Sequence, residues 1–231
     1  MTTKQISIVM LGASGAVGGC VLQNLLNKKS VERITILGRT PIPNLNNNDI
    51  SIEQHKINIF ESSSYISFLP KHNVAICTLG VGEPSKISKE EFVKIDKTAV
   101  IEFAEACKKA GVHHFELLSS VGISIKSSSF YLRTKAELVE ELEALNFERL
   151  SIFQPSMILT PVNRYGFTQA LTLKVWPLLK PILLGKLKKY RGVPVDILGK
   201  SIALNILERK TGFEILQWDD FYSISEKQSE N

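Results

Sequence analysis

The stretch Gly12-Ala13-Ser14-Gly15-Ala16-Val17-Gly18 decides the fold class of this 231-residue chain. An apolar run of strand length, 6–11, precedes it, and residues 21–26 place apolar side chains at helical spacing after it. The first glycine permits a tight turn, the second lets backbone N–H groups approach a ligand, and the third allows close packing of helix and strand. This order predicts a site for a dinucleotide pyrophosphate, with a ligand-free glycine turn as the alternative.

Beyond this stretch, short apolar runs alternate with helical patterns, as in repeated βαβ units with a parallel sheet. Strands are predicted at 34–37, 52–57, 74–78, 115–118 and 150–153. A capping box at Ser88 opens a helix that stops at Gly111, and another helix covers about 131–145. After Pro155 the alternation fails, which is typical of a substrate cap. We therefore predict an α/β, Rossmann-type doubly wound parallel sheet, as one domain over 1–231 with a cap-like segment at about 160–192.

Basic residues are concentrated in one part of the chain. The net charge is +5, from 28 lysines and arginines against 23 acidic residues. Between Glu148 and Asp196 there is no acidic residue, and the basic residues there favour an anionic ligand, an acidic partner or a phospholipid surface. A solvated face is the alternative. Peripheral membrane attachment through 164–191 is therefore a hypothesis, whereas the sparse aromatic residues of this span argue against nucleic-acid binding.

Cysteine usage and hydropathy indicate the compartment. Cys20, Cys77 and Cys107 are far apart and odd in number, which favours a reducing compartment over a disulfide framework. The apolar run before the glycines is too short to span a bilayer, and the run at 175–184 is broken by prolines and a lysine. We expect a cytoplasmic protein, and peripheral association with an intracellular membrane is compatible with that expectation. The four histidines lack ligand spacing, so no metal site is predicted.

A possible catalytic pair lies in Tyr131-Leu132-Arg133-Thr134-Lys135, because residues four apart share one helix face. A lysine cation lowers the pKa of a neighbouring phenol, which can then exchange a proton near neutral pH, and the lysine can also hold ribose hydroxyls. Ser119 and Ser120, at the predicted end of the fifth strand, can polarise a carbonyl oxygen. Following a glycine loop, these residues predict carbonyl reduction, with an exposed surface pair as the alternative.

Arg39 indicates which nicotinamide cofactor the site prefers. It follows the second predicted strand, where nucleotide folds meet the adenosine ribose, and no carboxylate occurs before Asp49. An acidic residue there binds the free 2′-hydroxyl of NAD, whereas an arginine binds the 2′-phosphate of NADP. NADP(H) is therefore the predicted cofactor. The alternative is that Arg39 only faces water at the end of the strand.

Several motifs resemble those of the atypical short-chain dehydrogenase/reductases, in the group of the Tat-interacting protein oxidoreductase. They are the glycines spaced three apart, Phe92–Asp96, Lys109–Ser120, Lys126–Lys135 and Phe153–Pro155. The order and spacing of these motifs resemble those of the family from about residue 6 to 166. The resemblance implies a Rossmann fold that binds NADPH and an oxidoreductase that acts on a small molecule, with Tyr131 and Lys135 as catalytic residues.

The resemblance also implies a set of cofactor contacts. Tyr131 and Lys135 would face the cofactor, and the glycine loop would hold its pyrophosphate. Beside Gly12 and Gly18, the implied contacts are Ser14, Gly15, Ala16 and Val17 at the pyrophosphate, Arg39 and Thr40 at the 2′-phosphate, Leu79 and Gly80 near the nicotinamide ribose, and Ile158 and Arg164 as further lining.

The chain departs from the family pattern at three positions. Asn58 replaces an aspartate, Asp96 replaces an asparagine that supports the proton relay, and Gln154 replaces an arginine. The departures at Asp96 and Gln154 motivate the alternative interpretation, an NADP(H)-binding regulatory or interaction protein with little or no turnover.

Overall fold

A sheet of parallel strands forms the centre of the computed structural model, which describes residues 5–45, 47, 49–161 and 183–227. Its strands are β1 (Ile6–Leu11), β2 (Val31–Gly38), β3 (Ser51–Lys56), β4 (Val74–Cys77), β5 (His114–Leu118), β6 (Arg149–Phe153) and β9 (Gly212–Leu216). All neighbours pair in parallel, in the order β3-β2-β1-β4-β5-β6-β9. Two short strands, β7 (Ile158–Leu159) and β8 (Val193–Pro194), form a separate parallel pair. The predicted Rossmann-type sheet is confirmed.

Helices cover both faces of this sheet. They are α1 (Ala16–Leu25), α2 (Lys89–Val93), α3 (Ala99–Lys109), α4 (Phe130–Ala144), α5 (Val195–Asn205) and α6 (Trp218–Glu226). A π-helix, Lys94–Thr98, joins α2 to α3, and 3-10 turns lie at Ser62–Ser64, Ile66–Phe68, Pro84–Lys86 and Gly185–Tyr190.

Two apolar clusters, one on each face, hold the layers together. Successive side chains of a strand point to opposite faces. In β1, Ile8 and Met10 accordingly join the cluster that includes α1, α5 and α6, whereas Val9 and Leu11 join the cluster that includes α3 and α4. All four side chains are buried, as expected for a central strand that is covered on both sides.

A buried polar cluster attaches β9 to the rest of the sheet. Arg149 donates to Glu214 Oε1 at 2.7 Å, and Asn205 donates to Glu116 Oε1 at 2.8 Å. Burial raises the pKa of Glu116 to about 8 and lowers the pKa of His114 to about 3. Burial also opposes ionisation of Glu214, but hydrogen bonds from a serine and from Arg149 lower its pKa to about 2. The cluster therefore holds the charged pair Arg149–Glu214 beside Glu116 and His114, which burial keeps neutral.

The structure contains a π-helix in the middle of the chain and three elements at its end that the sequence did not predict. Ser88 caps α2 as predicted, since its Oγ accepts from the Glu91 N–H at 3.1 Å. The helix predicted from Ser88 to Gly111 is confirmed as one unbroken helical stretch, in which the π-helix Lys94–Thr98 lies between α2 and α3. The sequence prediction also missed α5, β9 and α6. Strand β9 lies at the sheet edge, where Phe213 and Ile215 are 41% and 45% exposed, so it lacks the apolar run of a central strand.

The cap-like segment predicted at about 160–192 is described only in part. Residues 162–182, which include Arg164, Lys174 and Lys180, lie outside the described residues. Strands β7 and β8 flank that stretch. Among the described residues, no helix combines the length and apolar character needed to cross a bilayer.

Candidate functional site

The candidate site lies at the carboxyl ends of the central strands. The chain runs from β1 outward to β2 and β3, then crosses back to β4 on the other side of β1. Such a switch point opens a crevice between the two halves of a doubly wound sheet. A cavity of about 470 Å³ occupies this position. It collects these predicted site residues: Gly15, Ala16, Val17, Gly18, Leu79, Gly80, Ser119, Tyr131, Lys135 and Ile158.

A second cavity, of about 590 Å³, adjoins the glycine loop and the end of β2. Ser14 and Thr40 line it, and it shares Gly15 and Ala16 with the first cavity. The glycine loop is therefore accessible from both cavities. An elongated ligand that crosses the loop would have space at each end.

The glycines at the ends of the loop are required by close packing. At Gly12, where φ is +95°, a Cβ atom would lie 2.6 Å from the carbonyl carbon of Thr78. A Cβ atom at Gly18 would collide with the Gly12 oxygen. Gly15 is exposed and caps α1 through its backbone alone, with no side-chain cap and no acidic residue in the first turn. The first turn of α1 therefore lines the cavity with no side-chain cap on its N–H groups, which suits an anion.

The structure distinguishes the two serines that follow β5. The Ser119 N–H donates to the Phe153 oxygen at 2.8 Å, and Ser119 lines the first cavity. Its Oγ is buried and has no hydrogen-bond partner among the described residues. Ser120 does not line that cavity, and its Oγ lies 3.5 Å from the Val121 oxygen. Because buried hydroxyls are normally satisfied, Ser119 is suited to a polar group of a ligand.

Tyr131 lies in the first turn of α4, at the mouth of the same cavity. Ser129 caps this helix, since its Oγ accepts from the Leu132 N–H at 3.4 Å. The ring of Tyr131 packs against buried Phe92 with centroids 5.4 Å apart. The phenol is thus held by apolar contact.

Lys135 lies one helical turn further along α4, and its side chain is 5% exposed. Its Nζ lies 2.7 Å from Oδ1 of Asp96, which belongs to the π-helix. The other carboxylate oxygen of Asp96 accepts from the Val81 N–H at 2.8 Å. The sequence prediction noted Asp96 only as a departure from a family pattern and missed this pairing. Its helical spacing from Phe92 and Val100, both apolar, could have placed it on a buried face.

Other predicted residues lie apart from the first cavity. Arg39 is exposed after β2, lines neither cavity, and makes no hydrogen bond or ion pair with another residue of the described ranges. Gln154 accepts a hydrogen bond from Gln217 at 3.1 Å and does not line the first cavity. Arg164 lies outside the described residues. Within the described part of the chain, no group of three potential metal ligands is present.

The chain also matches a family model and known sequences. Residues 12–148 match the model of a family described as NAD(P)H-binding. The chain is 33% identical over 153 residues to Protein HTATIP2 of Rattus norvegicus, a match that covers 66% of this chain and 63% of that protein. It is 33% identical over 160 residues to the Aspergillus niger protein named "Protein fmp52, mitochondrial", covering 66% of each. The chain therefore spans just under two thirds of the length of these relatives.

Solved structures share the fold at lower sequence identity. MoeE5, in complex with UDP-glucuronic acid and NAD, superposes with a TM-score of 0.68 and 17% identity, over 91% of this chain and 75% of that one. A UDP-N-acetylglucosamine 4-epimerase from Methanobrevibacter ruminantium superposes with a TM-score of 0.70 and 14% identity, over 93% and 77%. At these identities the likeness concerns the fold alone.

Proposed function

Because this chain belongs to the NAD(P)H-binding family, in its atypical short-chain dehydrogenase/reductase branch, we propose that it uses NADPH to reduce a carbonyl group of a small molecule. One observation carries the proposal. Ser119, whose buried hydroxyl has no hydrogen-bond partner among the described residues, lines the same cavity as Tyr131 and Lys135, next to the glycine loop.

The residues of the two cavities fit a dinucleotide. The uncapped first turn of α1 would hold the pyrophosphate, because its N–H groups and the helix dipole favour an anion. Leu79 and Gly80 would pass beside the nicotinamide ribose, and Lys135 would hold its hydroxyls. Ile158 supplies an apolar wall on the far side of the cavity.

The choice of NADPH over NADH rests on the end of β2. Arg39 and Thr40 follow this strand with no carboxylate nearby in sequence, and Thr40 lines the second cavity. The exposed guanidinium of Arg39 can turn toward a 2′-phosphate and bind it with two parallel hydrogen bonds.

Three side chains would carry the chemistry. When bound, the nicotinamide supplies the hydride. Ser119 would donate a hydrogen bond to the carbonyl oxygen of the substrate, which stabilises the negative charge that develops there. Tyr131 would donate its phenol proton to the same oxygen as general acid. Lys135 would keep the ribose, and with it the reacting carbon, in place.

A titration with NADPH and NADH, followed by nicotinamide fluorescence, tests the cofactor proposal. Wild type should bind NADPH more tightly, and Arg39→Ala should lose about tenfold or more of that preference, since a charged hydrogen-bond pair is removed. Arg209→Ala is the matched control, because Arg209 is also exposed but lies near the opposite end of the sheet. Binding of neither nucleotide would refute the proposal.

Turnover is tested separately with a panel of aldehydes, ketones and quinones, by following NADPH oxidation. Oxidation with at least one class supports a reductase. Tight NADPH binding without oxidation of any panel member would favour the alternative, a regulatory or interaction protein that responds to NADP(H).

We also propose that the protein is cytoplasmic and contacts an intracellular membrane peripherally. The supporting observation is the turn Gly185–Tyr190, where exposed Leu187 and exposed Lys186 lie beside Leu184, which is 60% exposed. Apolar side chains next to lysines suit an anionic lipid surface. Co-sedimentation with phosphatidylserine vesicles but not phosphatidylcholine vesicles, weakened by Leu184→Asp, is the expected result. Absence of binding at low salt would contradict it.

A further inference from the structure

Asp96 is a buried carboxylate that the proposed reaction does not itself use. The residue is 2% exposed and lies in the π-helix between α2 and α3. Both of its oxygens are engaged, with Lys135 Nζ at 2.7 Å and with the Val81 N–H at 2.8 Å. A charge at this depth is tolerated only when it is paired and hydrogen-bonded. Short π-helical segments are uncommon and often occur at functional sites.

The two partners of Asp96 belong to different walls of the first cavity. Lys135 comes from α4, whereas Val81 belongs to the loop that follows β4. Gly80 packs directly against the carboxylate, because a Cβ atom there would lie 3.2 Å from Asp96 Oδ1. Asp96 therefore sets the position of Lys135 relative to the loop that follows β4.

We infer that Asp96 is a positioning residue, which fixes the Lys135 ammonium for the nicotinamide ribose. This inference rests on the proposed function. Lys135 and the Val81 N–H contact different oxygens of Asp96, and asparagine would present an NH2 group, which is a donor, in place of one of them. In Asp96→Asn, either Lys135 or the Val81 N–H loses its acceptor.

The test compares NADPH with adenosine 2′,5′-bisphosphate, which lacks the nicotinamide ribose. Asp96→Asn should weaken NADPH binding about tenfold, the effect of one lost hydrogen bond to a charged group, and leave binding of the bisphosphate within about twofold. Lys97→Met is the matched control. Lys97 pairs with Glu137 and Glu141 at 2.9 Å each, and so joins the same π-helix to the same helix α4 outside the cavity. Both affinities should be unchanged in this variant.

A comparison of Lys135→Met with the Lys135→Met/Asp96→Asn double variant keeps the inference testable if Asp96→Asn alone does not fold. In the Lys135→Met background the buried cation is gone, so Asp96→Asn should cause no further loss of NADPH affinity. A further loss of NADPH affinity in the double variant would overturn the inference. Equal weakening of NADPH and bisphosphate binding by Asp96→Asn would also overturn it. If Asp96→Asn bound both ligands with wild-type affinity, the inference would be overturned and the proposed function would stand. Failure of wild type to bind NADPH or NADH would overturn the proposed function and the inference together.

Discussion

Replacing Glu116 by glutamine should change how the stability of the protein depends on pH. Glu116 is fully buried, and burial raises its pKa from the ordinary 4.5 to about 8. Between these pH values the folded protein holds a proton that the unfolded chain gives up. The native state therefore loses stability as the pH rises, by about 1.4 kcal/mol for each pH unit.

His114 opposes this trend over part of the range. Burial lowers its pKa from 6.5 to about 3, so it remains neutral in the folded protein while the unfolded chain binds a proton. This group raises stability with pH until the unfolded histidine has also lost its proton near pH 6.5. The two effects offset one another between about pH 4.5 and 6.5. From pH 6.5 to 8 the loss from Glu116 is not compensated and amounts to about 2 kcal/mol.

Glutamine cannot ionise and can still accept the hydrogen bond that Asn205 donates. Urea unfolding, followed by circular dichroism at pH 6.5 and pH 8, should show wild type losing about 2 kcal/mol more than Glu116→Gln. Glu140→Gln, which removes an exposed glutamate, is the control and should follow wild type. Equal pH dependence of wild type and Glu116→Gln would refute the reasoning, since it would mean that Glu116 does not hold its proton in the folded protein.

The remaining predictions concern the site. Tyr131→Phe keeps the ring against Phe92 but removes the acid, so turnover should fall about 100-fold or more while NADPH affinity in the fluorescence titration is retained; full turnover would exclude this residue as the acid. Ser119→Ala should lower kcat about 100-fold and Ser120→Ala only slightly, because of these two residues only Ser119 lines the cavity. The reverse order would contradict the assignment. Gly18→Ala inserts a methyl group into the backbone of the glycine loop and should cost about 1–3 kcal/mol in urea unfolding and weaken NADPH binding. Unchanged stability and affinity would show that the loop can move aside.

Local features of the chain were predictable because they depend on neighbours in sequence. The turn at Gly12 requires a positive φ, which favours glycine, and the cap at Ser88 involves only the next three residues. Both can therefore be predicted from the sequence. The central strands were also predictable, since burial on both faces makes them continuously apolar. The edge strand β9 was not, because its apolar side chains are partly exposed and its position depends on a polar cluster contributed by other elements.

The pairing of Asp96 with Lys135 shows the limit of sequence reasoning at the site. The two residues are far apart in the chain, and their contact requires the π-helix and α4 to pack side by side. The position of Ser119 at the cavity likewise depends on a contact between elements, because its N–H donates to Phe153 at the end of β6.

The sequence by itself determined the glycine loop, the strand and helix it joins, and the Tyr131 and Lys135 spacing on one helix face, because these follow from backbone conformation and helical periodicity. Only the tertiary structure decided that Lys135 is paired with Asp96, that Ser119 rather than Ser120 lines the cavity, and that β9 completes the sheet. These contacts join segments distant in sequence, so they depend on packing between elements and not on local propensity.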